Sequence, residues 1–262
     1  MAGTLRGPRA KIERAKKHVR EFEAALGELT FSNARHPQVI LVDDDLKLGQ
    51  KAYKLGHVPE IPDAITAIAG DAIHNMRTAL DQLVTALIER NRQPGAKVYF
   101  PTGWNRKDFE ARCKSEVERR VGQDALDLIR ATEAHRGGKG DALWRVHRLD
   151  VEDKHKILYT LAFDFQSMTL AMPKNDVFSP KQQAMFGRMM DELFWRPADN
   201  MLPLKEGDVL FYGPPDPVND PKFRLGVTFS EPEIVKGKTV LETLVRFGEH
   251  VESTVESFAP LF

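Results

Sequence analysis

The chain has 262 residues, 42% of them hydrophobic, and its 38 Lys and Arg balance 38 Asp and Glu to a formal net charge of zero. That is length and apolar content enough for a packed core, which excludes a disordered linker, and the charge balance excludes a polybasic protein that binds nucleic acid over its whole surface. A lone cysteine, Cys113, excludes an internal disulfide and a cysteine zinc site. Met1 to Arg9 hold no apolar leader, and no run approaches the roughly eighteen apolar residues of a membrane helix, so the expected location is cytoplasmic, without membrane contact.

Residues 9–29 carry Ile12, Ala15, Val19, Phe22, Leu26 and Leu29 at alternating steps of three and four, the seam of a helix packed on another helix. The seam has two outlets, the protomer's own core or a second copy of the chain in a homodimer. The cations Arg6, Arg9, Lys11, Arg14, Lys16, Lys17 and Arg20 make this helix basic, which is read as a solvated face because no aromatic interleaves them. Residues 39–42 and 51–56 read as strands joined by an acidic turn at Asp43, Asp44 and Asp45, which lacks the spaced oxygens of a calcium loop.

Pro62 stands at a first helical position, and from there to Asn91 the apolar residues recur on a helical period, which predicts a long, largely buried helix. A strand-like Val98–Phe100 and a turn at Pro101–Gly103 follow, then amphipathic helices near 105–119 and 123–134, and Asp141 caps another helix to about residue 155. From Tyr159 to Met172 the period becomes two, slipping phase near Ser167 as a bulged strand does. Ser179–Gln182 is a capping box opening a helix with Met185, Phe186, Met189, Met190, Leu193 and Phe194 inward. Strands are predicted near 208–212 and 223–229 across a proline-rich loop, and a second box, Thr239–Glu242, opens the terminal helix. The whole reads as a single α+β domain over 1–262, with 1–156 mainly helical and 157–262 strands plus two helices: a helical core with a small antiparallel sheet.

Two helices carry polar residues out of place. His74, Arg77 and Asp81 form one stripe at about 100 degrees per residue, roughly opposite the main apolar face of 62–91. In 141–158, Leu143, Val151, Ile157 and Leu158 define an inward face on which His147, Asp150 and Lys154 also fall, while Arg145, Arg148, Glu152 and Lys156 point away. An unpaired buried charge costs about 3–5 kcal/mol, so the two stripes should meet, Asp150 on Arg77 and Lys154 on Asp81. Three readings follow. The cluster is a buried salt-bridge network in a non-catalytic structural or interaction protein. Or it is a metal site of His74, Asp81, His147, Asp150 and His155, which the cations inside it oppose. Or it is a phosphate-binding site in which Arg77 and Lys154 neutralise oxygens and a histidine moves a proton. Gly137–Asp141 is either a connector or an anion-binding loop, and it matches neither the P-loop nor the dinucleotide fingerprint. Neither G-x-S-x-G nor H-E-x-x-H occurs.

Gly70-Asp-Ala-Ile-His-Asn-Met-Arg-Thr-Ala-Leu-Asp81 and Leu143-Trp-Arg-Val-His-Arg-Leu-Asp-Val-Glu-Asp-Lys-His155 resemble two blocks shared by a family of uncharacterised bacterial proteins. More distantly, Arg77 on a long helix resembles the arginine of the HEPN superfamily, dimeric helical RNases and nucleotide-binding proteins in which a histidine stands five positions on. Here that position is Gln82. The resemblance implies a HEPN-like bundle, RNA or a nucleotide as partner, a homodimer, no metal and no cofactor. His74, Arg77 and His147 would be catalytic and Asp81, Asp150 and Lys154 ligand-binding, in a metal-independent RNase or a catalytically impaired relative.

Overall fold

The computed structural model describes residues 4–34, 40–45, 50–56, 60–93, 98–155, 161–171, 192–195, 204–213, 222–230 and 232–262. The chain gathers into two compact units, one of residues 1–26, 62–160 and 231–262, the other of residues 27–61 and 161–230. The class is α+β with a helical core. The strands, however, form two three-stranded antiparallel sheets where one was expected.

In the helical unit α2 (Asp63–Arg90) is the central rod, buried along most of its circumference by residues such as Ile73, Met76, Leu80, Leu83 and Leu87. Pro62 sits at its N-cap, one position earlier than expected, and Asp63 and Arg90 complement the helix dipole at the two ends. Around it pack α5 (Asp141–His155) and α6 (Val240–Ser257). α1 (Arg6–Ala34) lies along α2 and α6, held by Lys11 on Asn75, Arg9 on Glu256 and Lys16 on Glu252. Of its seam, Ile12, Ala15 and Phe22 are buried within the protomer while Val19, Leu26 and Leu29 are only half-buried, and part of its basic face is neutralised by the α6 acids. The second capping box does not close. Thr239 occupies the N-cap of α6 without a side-chain bond, and its carbonyl instead accepts from the Thr243 amide and hydroxyl.

The helix expected over 105–119 is α3 (Arg106–Arg112), capped by Asn105 on the Asp108 amide, running into one π-helical turn, Cys113–Val117. Next comes α4 (Gln123–Ala131), its start tied to α2 by the Arg90–Asp124 pair. The 133–140 loop is wound so tightly that Cβ atoms on Gly138 and Gly140 would lie 2.4 Å from the Glu133 carbonyl oxygen and 2.5 Å from that of Thr132. Its amides are spent internally: Gly137 N–H on the Asp141 carboxylate, Gly138 on His135 and Gly140 on Glu133. It is therefore a structural turn, with none of these three N–H groups left for an anion. Gly138→Ala is expected to lower stability by about 1–3 kcal/mol through overpacking against fixed backbone. By contrast Gly27→Ala, on α1 with nothing within 4 Å of the new Cβ, should raise it by about 0.5–1 kcal/mol. Paired urea melts that move the two variants in the same direction would contradict this geometry.

In the strand unit β1 (Ile40–Asp45) and β2 (Gln50–Leu55) form a hairpin whose outer partner is β5 (Val209–Gly213). Asp43, Asp44 and Asp45 belong to β1 rather than to a turn, in register with Ala52, Lys51 and Gln50. β3 (Leu161–Ala171) lies between β4 (Glu192–Trp195) and β6 (Lys222–Phe229), and its register with β6 shifts between Phe165 and Ser167, where the phase slip placed a bulge. Leu193 and Phe194, expected on a helix, are strand residues opposite Leu170 and Thr169. The free edge of β3 satisfies their backbone, and a short apolar run carries no period that separates helix from strand. The rest of that expected helix lies outside the described residues, as does the 214–221 loop.

Candidate functional site

Asp150 of α5 accepts a 2.8 Å hydrogen bond from His74 Nδ1 of α2, so the two polar helices are neighbours. Asp150 is 3% exposed and the His74 side chain 49%; a carboxylate only accepts, so the imidazole proton is on Nδ1. Arg77 pairs not with Asp150 but with Asp81, one turn on along its own helix, at 2.7 Å. The same guanidinium nitrogen, Nη2, donates to the Phe100 carbonyl at 3.0 Å, while Asp81 Oδ1 accepts from the Phe100 N–H at 2.9 Å. Arg77 and Asp81 thus clamp both backbone polar groups of one residue, Phe100. Val98–Phe100 joins no sheet, and at Phe100 side chains of α2 bond the backbone groups that a neighbouring strand would. Arg77, on the stripe roughly opposite the main apolar face of α2, is left 3% exposed.

A cleft of about 400 Å³ opens beside this clamp. Arg77, Asp81, His147 and Asp150 line it together with Tyr99, Arg112, Glu116 and Arg120. The π turn puts Cys113 and Val117 into the core while Arg112, Ser115 and Glu116 face the cleft. Arg112 and Glu116 make a loose ion pair of 3.6 Å, and Arg120 has no ionic partner among the described residues. A second cavity of about 290 Å³, bordered by Trp104, Trp144 and Arg148, adjoins the first and shares Thr102, Arg112 and His147 with it. Trp104 packs edge-on to Trp144 at 5.2 Å, and the Arg148 guanidinium stands over its ring at 5.0 Å.

Two polar atoms of the cleft are buried without a hydrogen-bond partner: Nη1 of Arg77 and Nδ1 of His147. Burial pulls the Arg77 guanidinium below its ordinary range, opposed by Asp81, Asp150 and Glu116. His147 is pushed down to about 3, first by burial, then by the cations Arg77 and Arg112, with Asp150 opposing. It is neutral at pH 7 and a weak base there, which favours hydrogen bonding over proton transfer.

Of the six residues singled out in the sequence, Arg77, Asp81, His147 and Asp150 meet at the cleft. His74 braces Asp150 from outside its lining. The side chain of Lys154 lies outside the described residues, and with it the Lys154–Asp81 pair; Lys156 lies there too. Arg145, Arg148 and Glu152, expected to point away, have side chains only 22%, 25% and 23% exposed, because Arg145 bonds Asp141 and the Ile234 carbonyl and Arg148 covers Trp104. The sequence reading missed Tyr99, Trp104, Arg112 and Arg120. The available signal was an aromatic on each side of the Phe100-Pro-Thr-Gly103 turn, where a loop gives large rings nothing to pack on.

Gln82, at the position of the HEPN histidine, is not on the cleft; its Oε1 lies 2.9 Å from where a Cβ on Gly7 of α1 would stand. Among the described residues no group of three or more His, Cys, Asp or Glu is placed to hold a metal ion, and no helix is long and apolar enough to cross a membrane. Comparisons with family models, curated proteins and solved structures find no match.

Proposed function

We propose that the cleft lined by Arg77 and Tyr99 binds RNA or a nucleotide, and that the protein is a HEPN-like, catalytically impaired binding protein of the cytoplasm. The observation that carries this reading is Arg77 Nη1, a cationic donor on a cleft residue with its other terminal nitrogen already committed to Asp81 and Phe100. Leaving such a donor unmade is expensive, and a phosphate or base oxygen would satisfy it once a small turn of the guanidinium brings the solvent-closed Nη1 to the cleft. Arg120 and Arg112 add cations at the same cleft, and Tyr99 is 53% exposed, a surface on which a base can stack. Cleavage is not expected of this protein, because Gln82 faces α1 and His147, pushed down to about 3, is too weak a base to move a proton at pH 7.

The pairing of Arg77 with Asp81 and of His74 with Asp150 favours a second reading, a purely structural network. Thermal shift with adenosine 5′-monophosphate and short single-stranded RNAs separates the two. At a hundredfold excess over Kd, binding stabilises the wild type by about 2.7 kcal/mol. Arg120→Ala, which takes no part in the clamp, should weaken binding severalfold and flatten its salt dependence while leaving the ligand-free Tm unchanged. No response of the wild type to any of these ligands leaves the structural network standing.

A further inference from the structure

We infer that the site takes two successive nucleotides of a single nucleic-acid strand rather than one free nucleotide; this rests on the proposed binding function and adds its register. Among the described residues four large apolar side chains are exposed, Tyr99, Trp104, Val245 and Phe262, and the first two line the two adjoining cavities, one ring in each. A half-exposed aromatic is a stacking platform for one base, whatever its identity. Trp104, 51% exposed, is anchored edge-on to buried Trp144 and accompanied by Arg148, whose planar cation also stacks on bases.

The charges follow the same division. The first cavity has Arg77 and Arg120 beside Asp81, Glu116 and Asp150, the second Arg148 beside Asp108, and Arg112 stands on the ridge common to both. A strand laid across would place a base in each cavity, with the phosphate joining them above that ridge. Arg112 holds Glu116 only at 3.6 Å with half its side chain exposed, so a phosphate can draw it away at little cost. Neutral His147, on the same ridge, hydrogen-bonds the strand without adding charge. A mononucleotide would fill the first cavity and leave Trp104 bare.

The test is calorimetric titration of the whole chain with adenosine 5′-monophosphate and with 5′-phosphorylated diadenylate, in ribose and deoxyribose forms. The dinucleotide is expected to bind at least about tenfold tighter than the mononucleotide, the gain a second stacked base supplies. Trp104→Ala should remove that gain and leave mononucleotide affinity unchanged, and Trp104→Phe should restore most of it. The two sugar forms tell whether the strand is RNA or DNA, and tighter dinucleotide binding in either supports the inference. Equal affinity for mono- and dinucleotide, or an equal loss of both in Trp104→Ala, overturns the two-nucleotide register while leaving nucleotide binding intact. No binding of any of the four probes overturns both.

Discussion

Asp81→Ala will destabilise the folded chain by about 3–5 kcal/mol, measured as a fall in the urea midpoint at pH 7. One carboxylate serves two partners, the Arg77 guanidinium at 2.7 Å and the Phe100 amide at 2.9 Å. Without it a guanidinium with 3% exposure keeps one neutral acceptor, the Phe100 carbonyl, and the amide of Phe100 has lost its acceptor. Desolvation of the cation is then opposed only through space by Asp150 and Glu116, with no carboxylate bonded to it, and that dominates over the small area of side chain removed. Asp81→Asn keeps an acceptor for the amide but not the charge, and should fall between. Glu256→Ala breaks a pair of the same length with Arg9, both side chains largely in water, and should shift the midpoint little. Equal midpoints for Asp81→Ala and Glu256→Ala would refute the clamp.

The second large effect is on acid stability, through His147. Its value in the folded chain is about 3, against an ordinary 6.5, because burial and the neighbouring cations Arg77 and Arg112 disfavour the imidazolium. Below pH 6.5 the unfolded chain therefore binds a proton that the folded chain refuses, so stability falls as the pH falls, by up to about 1.4 kcal/mol per pH unit. The contribution is fully present above pH 6.5 and is lost progressively toward pH 3, a total on the order of a few kcal/mol. His147→Leu removes the titrating group without adding charge. Plotted against pH, the difference in unfolding free energy between wild type and His147→Leu should be flat above 6.5 and should change steadily in favour of the variant below it. A difference that stays constant from pH 7 to 4 would show that His147 titrates alike in the folded and unfolded chains.

Local pattern was sufficient for the elements with a long, clear period. α2, α5 and the bulged β3 stand where their periods placed them, because a buried helix repeats its apolar residues every three to four positions and a bulge shifts the phase of a strand, whatever they pack against. The polar stripes were visible for the same reason: a charged residue on an apolar face breaks the period that surrounds it. Pattern also brought α2 and α5 together, since buried charges must be matched.

Partner choice was not in the pattern. Arg77 had one acceptor a turn away on its own helix and another across the interface, and the position of the Phe100 peptide decided for Asp81, leaving Asp150 to His74. The short run at Leu193 and Phe194 became a strand because β3 had an edge to offer, a fact about residues more than twenty positions away. The residues of 40–55 joined strands beyond 160 rather than the helices next to them in the chain. Tyr99 and Trp104 are candidates for stacking only because no described element covers them, and exposure is a property of the packed chain. Periodicity is a local consequence of backbone geometry, whereas hydrogen-bond partners and solvent exposure are set by where distant segments come to rest.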